Sequence, residues 1–181
     1  MLRIISGKEK GRKLLSPIRS SRPLTDRIKT VIFDLIKDYI PKAEVLDIFA
    51  GSGSFGFESL SRGADSATFV DASSESITIL HKNKKFFADY NVNIHRSLSE
   101  LFLKKCPNKY DLIFLDPPFP MEQSEVLNNV NLTIRLLKED GVIIIRLPVE
   151  KKLPQSLTLN SQKATKVYET ILGKSRVCFF K

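Results

Sequence analysis

The chain has 181 residues, of which 42% are hydrophobic, and a formal net charge of +9. This length predicts one domain with enough apolar residues for a sizeable core. The sequence contains no apolar run near the roughly 18 residues that span a bilayer, and its first residues lack the apolar core of a signal peptide. The two cysteines and two histidines are isolated in the sequence, so we expect free thiols, no metal site, no membrane association and a cytoplasmic location.

The positive charge is concentrated in the first 30 residues, which hold nine Lys or Arg and two acids, whereas the remainder is nearly neutral. A solvated basic tail would explain this pattern, but we favour a phosphate-binding arm for a nucleic acid. A membrane-surface helix fits less well, because glycines and prolines interrupt the segment. The candidate phosphate-binding residues are Lys8, Lys10, Arg12, Lys13 and Arg22.

Two short apolar runs near the N-terminus flank a basic loop that contains glycines, which predicts a small β-hairpin. An irregular connector with two prolines follows. We place a boundary between this N-terminal unit, residues 1–23, and the remaining domain, residues 24–181. Thr25 is a predicted N-cap, and the apolar residues after it recur with helical spacing as far as Tyr39.

From residue 44 onward, apolar strand-like runs alternate with helical patterns. The predicted strands are 44–49, 67–71, 92–95, 110–115 and 141–147. The intervening helices are predicted at 54–62, 74–90, 97–104 and 122–137. Two further runs, 164–171 and 175–180, predict a C-terminal antiparallel hairpin. The alternation predicts an α/β fold with a doubly wound, mostly parallel sheet of seven strands, which binds ligands beyond the carboxyl ends of its strands.

The first predicted strand ends in a glycine-containing turn that opens the next helix. Glycines here allow positive φ angles and leave room beside the backbone, and the free N–H groups of the helix start face the turn. We therefore predict a cofactor-binding site at this turn. The spacing of Gly51, Gly53 and Gly56 also fits a dinucleotide fingerprint, so the turn alone leaves the cofactor open.

Two acidic residues accompany the turn. Asp71 lies 20 residues after Gly51, at the predicted end of the second strand, where a carboxylate can bind both hydroxyls of a ribose; a helix cap is the alternative. Asp47 lies inside the first apolar strand, and a buried acid is costly unless it has a partner. An amino group on the cofactor would supply that partner, and nearby backbone N–H groups are the alternative.

The most specific motif is Asp116-Pro117-Pro118-Phe119, which follows the fourth predicted strand. The prolines remove two backbone donors and restrict the residues before them, so the turn is rigid and offers acceptors. The Asp116 carboxylate and the Pro117 carbonyl together suit a planar amino group with two hydrogens to donate. Phe119 offers a ring on which a base can stack. A stiff loop without chemistry is the alternative.

The segment Leu46-Asp47-Ile48-Phe49-Ala50-Gly51-Ser52-Gly53, together with Asp116-Pro117-Pro118-Phe119, resembles the class I S-adenosylmethionine-dependent amino-methyltransferases. Three further segments narrow the resemblance to the bacterial 16S ribosomal RNA guanine-N2 methyltransferases of the RsmD type: Arg3-Ile4-Ile5-Ser6-Gly7, Gly11-Arg12-Lys13-Leu14 and Arg22-Pro23-Leu24-Thr25-Asp26-Arg27. The resemblance covers the whole chain, although the C-terminal third matches only in outline. The chain departs from the family pattern at Leu24, where a polar residue is more usual, and at Ser97, where Asp or Asn near the adenine is common.

The resemblance implies a Rossmann-like class I methyltransferase domain over residues 24–181, with S-adenosylmethionine as cofactor. It also implies transfer of a methyl group to N2 of a flipped-out guanine in 16S rRNA, on a 30S particle or an assembly intermediate. A monomer without a metal would suffice for this reaction. The implied catalytic residues are Asp116, Pro117 and Phe119. The implied cofactor-binding residues are Asp47, Phe49, Gly51, Gly53, Asp71 and Ser97.

Four other functions remain open on the sequence. A DNA adenine-N6 methyltransferase would present a similar amine, although 181 residues leave little room for a DNA-reading domain. A protein-glutamine methyltransferase uses similar chemistry, but the basic leader favours a polyanion. A non-catalytic rRNA-binding assembly factor would bind RNA without transferring a methyl group. A nicotinamide oxidoreductase fits the glycine spacing but leaves Asp47 and Asp116 unexplained.

Overall fold

The computed structural model describes residues 2–17 and 25–181. Its α-helices are α1 (Asp26–Leu35), α2 (Ser54–Ser61), α3 (Ser74–Lys84), α4 (Ser99–Lys105) and α5 (Gln123–Thr133), with short 3-10 helices at Lys37–Tyr39, Lys85–Phe87 and Ile134–Leu136. Its strands are β1 (Glu44–Ile48), β2 (Ser66–Asp71), β3 (Asn91–Arg96), β4 (Tyr110–Leu115), β5 (Leu137–Pro148), β6 (Ser156–Leu159), β7 (Gln162–Leu172) and β8 (Ser175–Phe180). None of the helices in the described ranges is long and apolar enough to cross a membrane.

The strands form one sheet in the order β3-β2-β1-β4-β5-β8-β7-β6. The first five pair in parallel, whereas β8 is antiparallel to both β5 and β7. The α/β class, the doubly wound parallel sheet and the C-terminal antiparallel hairpin are therefore confirmed. The predicted number of seven strands is wrong, because β6 adds an eighth strand antiparallel to β7. Its four residues carry one fully buried side chain, Leu157, so the alternation that identifies a strand is too short to recognise.

The central strands of the sheet are buried on both faces, and successive residues of one strand point to opposite layers. In β4, Leu112 and Phe114 belong to the core cluster that includes residues of α1, α2 and α3. Ile113 and Leu115 belong to the cluster that includes residues of α4 and α5. The continuous apolar run of β4 is thus explained by a central parallel strand covered by helices on both sides.

The predicted cap of α1 is confirmed, and α1, α3 and α5 end earlier than predicted. Thr25 is the N-cap of α1, where its side chain accepts a hydrogen bond from the N–H of Ile28. The helix then ends at Leu35, and a 3-10 turn extends to Tyr39. By contrast, β5 is longer than predicted, because it begins at Leu137. The proposed boundary at residue 23 and the candidate residue Arg22 lie outside the described residues.

The N-terminal segment pairs with itself and docks onto the body. Residues Arg3 and Lys13 form an isolated antiparallel bridge, and the N–H of Ile4 donates to the carbonyl of Arg12 (2.9 Å). Ile4 is fully buried. Gly7 approaches α2 so closely that a Cβ there would lie 1.8 Å from the Ser61 carbonyl oxygen, so this contact requires glycine.

Candidate active site

A cleft of about 810 Å³ lies at the carboxyl ends of the central parallel strands. It brings together most of the predicted cofactor and catalytic residues, namely Asp47, Phe49, Gly51, Asp71, Ser97, Asp116, Pro117 and Phe119. The N-terminal segment contributes to the same wall through Leu2, Ser16 and Pro17. Gly53 does not line the cleft.

The turn between β1 and α2 needs left-handed backbone at several positions. Gly51 has φ +54° and Gly53 has φ +77°, the region that glycine adopts most easily. A Cβ on Gly53 would lie 2.7 Å from the side chains of Leu80 and Phe57, so Gly53 shapes the turn from behind. Phe49 also has a positive φ, 62°, which is rare for a bulky residue and is found mainly at functional sites.

Asp71 braces the glycine turn from the tip of β2. Its Oδ2 accepts a hydrogen bond from the N–H of Gly51 (2.8 Å), and its Oδ1 accepts one from the N–H of Ser73 (2.8 Å). Ser73, rather than Asp71, is the side-chain cap of α3. Ser97 lies next to this position, where its N–H donates to the Asp71 carbonyl (3.1 Å).

Asp47 lies at the floor of the cleft and is 1% exposed. Its Oδ2 accepts a hydrogen bond from the N–H of Gly56 (3.0 Å), which is the backbone contact considered as an alternative for this residue. Burial raises the pKa of the Asp47 carboxyl well above its usual range, and the nearby carboxylates of Asp116 and Asp71 raise it further. A cationic ligand group beside Asp47 would favour the ionised form.

Asp116 forms a two-point ion pair that sequence reasoning did not foresee. Nε of Arg146 donates to its Oδ1 (2.9 Å), and Nη2 of Arg146 donates to its Oδ2 (2.6 Å). Burial raises the pKa of the Asp116 carboxyl, and Arg146 opposes that change. The sequence does contain a signal for this pair: Arg146 directly follows the apolar run of β5, and a charge in a buried strand needs a partner.

A second basic residue from the segment after β5 supports the Pro-Pro-Phe turn. Nζ of Lys151 donates to the carbonyl of Phe119 (3.2 Å) and also to that of Met121. The guanidinium carbon of Arg146 lies 5.9 Å from the centre of the Phe119 ring. The turn that carries the predicted substrate contacts is therefore held by groups on β5 and on the segment after it.

The predicted phosphate-binding side chains lie outside the cleft, on the exposed loop of the N-terminal segment. Lys8, Lys10, Arg12 and Lys13 are all exposed. The Lys8 ammonium lies 5.7 Å from the centre of the Tyr90 ring, and Arg12 pairs with Glu9. Within residues 2–17 and 25–181, no group of three or more His, Cys, Asp or Glu side chains could hold a metal ion.

A doubly wound parallel sheet with an antiparallel C-terminal hairpin, a glycine turn after β1 and an Asp-Pro-Pro-Phe corner after β4 define a class I methyltransferase domain. The family model described as "Conserved hypothetical protein 95" matches residues 2–181. "Ribosomal RNA small subunit methyltransferase D" of Buchnera aphidicola is 38% identical over 90% of this chain and 87% of its own length. The protein of that name in Haemophilus influenzae is 36% identical over 91% and 89%. The chain belongs to the family of the ribosomal RNA small subunit methyltransferase D proteins.

A solved structure supports the same assignment at the level of the backbone. The structure named "Putative methyltransferase yhhF from Escherichia coli" superposes with a TM-score of 0.83 at 30% identity, covering 99% of this chain and 96% of that one. The predicted family is thus confirmed.

Proposed function

We propose that this protein transfers a methyl group from S-adenosylmethionine to the exocyclic N2 of a guanine in 16S ribosomal RNA. The observation that carries the proposal is that the glycine turn after β1 and the Asp-Pro-Pro-Phe corner after β4 line the same cleft. The proposed cofactor-binding turn and the proposed amine-binding turn therefore border the same cleft, as direct transfer between two bound molecules requires.

The cleft fits S-adenosylmethionine in size and in the chemistry of its lining. A volume of about 810 Å³ suits a nucleotide-sized ligand. Asp47, Asp71 and Asp116 make the lining acidic, which favours a ligand that carries an ammonium and a sulfonium. A Cβ on Gly51 would meet no atom closer than 4.0 Å, so a ligand can approach the backbone there.

Four of the lining residues would hold this cofactor. Asp71 would accept hydrogen bonds from the ribose hydroxyls while it continues to brace Gly51. Asp47 would contact the amino-acid end and Ser97 the adenine, and Phe49 would form part of the wall. When bound, the cofactor supplies an electrophilic methyl carbon, and its sulfur keeps the electron pair of the broken bond.

The Asp-Pro-Pro-Phe corner prepares the amine for attack. The lone pair of guanine N2 is delocalised into the ring, so the free amine is a poor nucleophile. Hydrogen bonds from its two N–H groups to the Asp116 carboxylate and the Pro117 carbonyl favour a pyramidal nitrogen whose lone pair points at the methyl. Asp116 also stabilises the positive charge that develops on nitrogen before a proton is lost to water. Stacking on Phe119 holds the flipped base.

The exposed loop of the N-terminal segment supplies contacts to rRNA phosphates through Lys8, Lys10, Arg12 and Lys13. The same segment reaches the cleft through Ser16 and Pro17, so RNA held by the loop would continue toward the reacting base. Arg22 is proposed as a further phosphate contact. We propose that residues 1–23 form the RNA-docking unit and residues 24–181 the catalytic domain of a monomeric cytoplasmic enzyme that acts on a 30S particle or an assembly intermediate.

The test is transfer of labelled methyl from S-adenosylmethionine to 30S particles that lack the modification, followed by mapping of the labelled nucleotide. We expect label on N2 of a guanine in 16S rRNA. Asp116→Ala should abolish transfer and keep cofactor affinity in calorimetry. Label on adenine of duplex DNA, or RNA binding without transfer to any substrate, would overturn the proposal.

A further inference from the structure

The ion pair between Arg146 and Asp116 lies at the point where the proposed chemistry takes place. β4 and β5 are in parallel register, with Leu115 beside Ile145, so the next residue of each strand is also adjacent. At this step Asp116 leaves the sheet, while Arg146 remains in β5 and faces Val177 of β8. The Arg146 side chain is 6% exposed and that of Asp116 is 20% exposed. Both side chains line the cleft, and the guanidinium is the more buried of the two.

We propose that Arg146 is a positioning residue for methyl transfer: its guanidinium holds both oxygens of Asp116 in the orientation that presents the ionised carboxylate to the target amine. This inference rests on the proposed role of Asp116. The two-point geometry fixes the plane of the carboxylate, which a single hydrogen bond does not. Each carboxylate oxygen can accept more than one hydrogen bond, so Asp116 can bind the amine while it stays paired.

The pair is not needed to join the two strands. Backbone pairing between β4 and β5 runs through Leu112, Ile113, Phe114 and Leu115, and each of these side chains is buried in one of the two core clusters. A buried charge pair is often no more stabilising than apolar side chains of similar size. The pair lies one residue beyond this ladder and lines the cleft, which favours a role in the site.

Arg146 also opposes protonation of Asp116. Arg146 on β5 pairs with this carboxyl, and Asp47 on β1 is close enough to repel it. Asp71 at the end of β2 and Glu75 on α3 also line the cleft, and Lys151 after β5 holds the turn that follows Asp116. Burial raises the pKa of Asp116 and Arg146 lowers it, whereas Asp47 and Asp116 repel each other when both are ionised. Loss of Arg146 should therefore raise the pKa of Asp116 further. At a given pH, a larger fraction of the protein would then carry a protonated Asp116, which is a weaker hydrogen-bond acceptor than the carboxylate.

The experiment compares Arg146→Met and Arg146→Lys with Asp116→Asn and the wild-type protein. The first readout is the carboxyl ¹³C chemical shift of Asp116 during a pH titration of the protein without ligands. The second is kcat against pH for transfer to 30S particles, with cofactor affinity measured by calorimetry. Arg176→Met is the matched control, because Arg176 on β8 is also buried and paired with an acid, Glu169, and does not line the cleft.

We expect Asp116 to titrate at higher pH in Arg146→Met, and the acid limb of kcat to move in the same direction. With a shift of one pKa unit, kcat falls about tenfold on the acid side and recovers as pH rises. Arg146→Lys keeps the positive charge but cannot form the two-point contact. It should therefore raise the pKa of Asp116 less than Arg146→Met does, and it should still lower kcat. The cofactor Kd should change little, and Arg176→Met should leave the Asp116 titration and the acid limb unchanged.

Two different failures can be distinguished. Unchanged Asp116 titration and unchanged kcat in both Arg146 variants would overturn the positioning role. If Arg146→Met does not fold, Arg146→Lys still decides between these outcomes. Full transfer by Asp116→Asn would instead remove the proposed function of Asp116, and the ¹³C titration would still report separately whether Arg146 controls that carboxyl.

Discussion

Glu58→Gln is expected to weaken the docking of the N-terminal segment. The Glu58 carboxylate is fully buried in α2 and accepts four hydrogen bonds or ion pairs. The backbone N–H groups of Ile5 (2.8 Å) and Ser6 (3.0 Å) come from the N-terminal segment. Nζ of Lys29 (2.9 Å) and Nε of Arg62 (2.8 Å) supply two cations. The Glu58 side chain therefore links the N-terminal segment to α2, the helix that follows the glycine turn of the cleft.

The expected loss follows from the charge that is left behind. Glutamine has nearly the same shape but no charge, and its NH2 group replaces an acceptor with a donor. The Lys29 ammonium is fully buried and would lose its counter-charge, although it keeps the carbonyl of Arg3 (2.6 Å). Breaking a buried pair by removing one partner costs about 3–5 kcal/mol. We expect the free energy of unfolding to fall by about this amount, with part of it lost through release of the N-terminal segment.

The loss should depend on pH in a defined direction. Burial lowers the pKa of Lys29, and Glu58 is the main group that opposes this. In Glu58→Gln the folded-state pKa of Lys29 falls further, so the unfolded chain binds more protons than the folded one between the two pKa values. Stability then rises with pH across that window, and the gap between the variant and the wild-type protein narrows as pH increases.

The assay is urea unfolding followed by circular dichroism or tyrosine fluorescence, since the chain has no tryptophan and four tyrosines. Hydrogen exchange at the amides of Ile5, Ser6 and Lys8 reports docking of the segment. Glu100→Gln is the matched control, because Glu100 pairs with Lys104 at an exposed position of α4 and should leave stability nearly unchanged. Wild-type unfolding midpoints together with protected Ile5 and Ser6 amides in Glu58→Gln would refute the reasoning.

Three further predictions concern the site and the RNA contacts. Asp47→Asn should weaken cofactor binding in calorimetry. Because burial raises the pKa of Asp47, wild-type affinity should fall as the pH is lowered while the variant shows a flatter profile; equal profiles would contradict this. Gly53→Ala should lower the melting temperature and cofactor affinity together, since φ is +77° and the new methyl would lie 2.7 Å from Phe57; a wild-type melting curve would argue against it. The four basic loop residues are Lys8, Lys10, Arg12 and Lys13. Replacing all four by alanine should reduce the dependence of log K for rRNA binding on log salt by about 3, at roughly 0.7 per phosphate contact, with cofactor affinity unchanged. An unaltered salt dependence would exclude the loop as a phosphate-binding site.

Much of the fold was predictable because its signals are local. Buried parallel strands are continuous apolar runs, and the first helix begins at Thr25, whose side chain caps it as predicted. Since parallel strands present their carboxyl ends at one edge, motifs after β1, β2 and β4 were expected to converge, and Asp47, Asp71 and Asp116 do line one cleft. The short strand β6 was missed because one buried side chain in four residues gives no period.

The sequence by itself determined the order of the helices and of every strand except β6, the glycine turn and the rigid Asp-Pro-Pro-Phe corner, because each depends on neighbouring residues. Only the tertiary structure decided which groups far apart in the chain pair with the buried charges. Asp116 and Arg146 are 30 residues apart, and the Glu58 carboxylate accepts from the N–H of Ile5, 53 residues away. A buried charge requires a partner, but its neighbours in the sequence do not specify which distant group that partner is. The folded packing of β4 beside β5, and of the N-terminal segment on α2, selects which one it is.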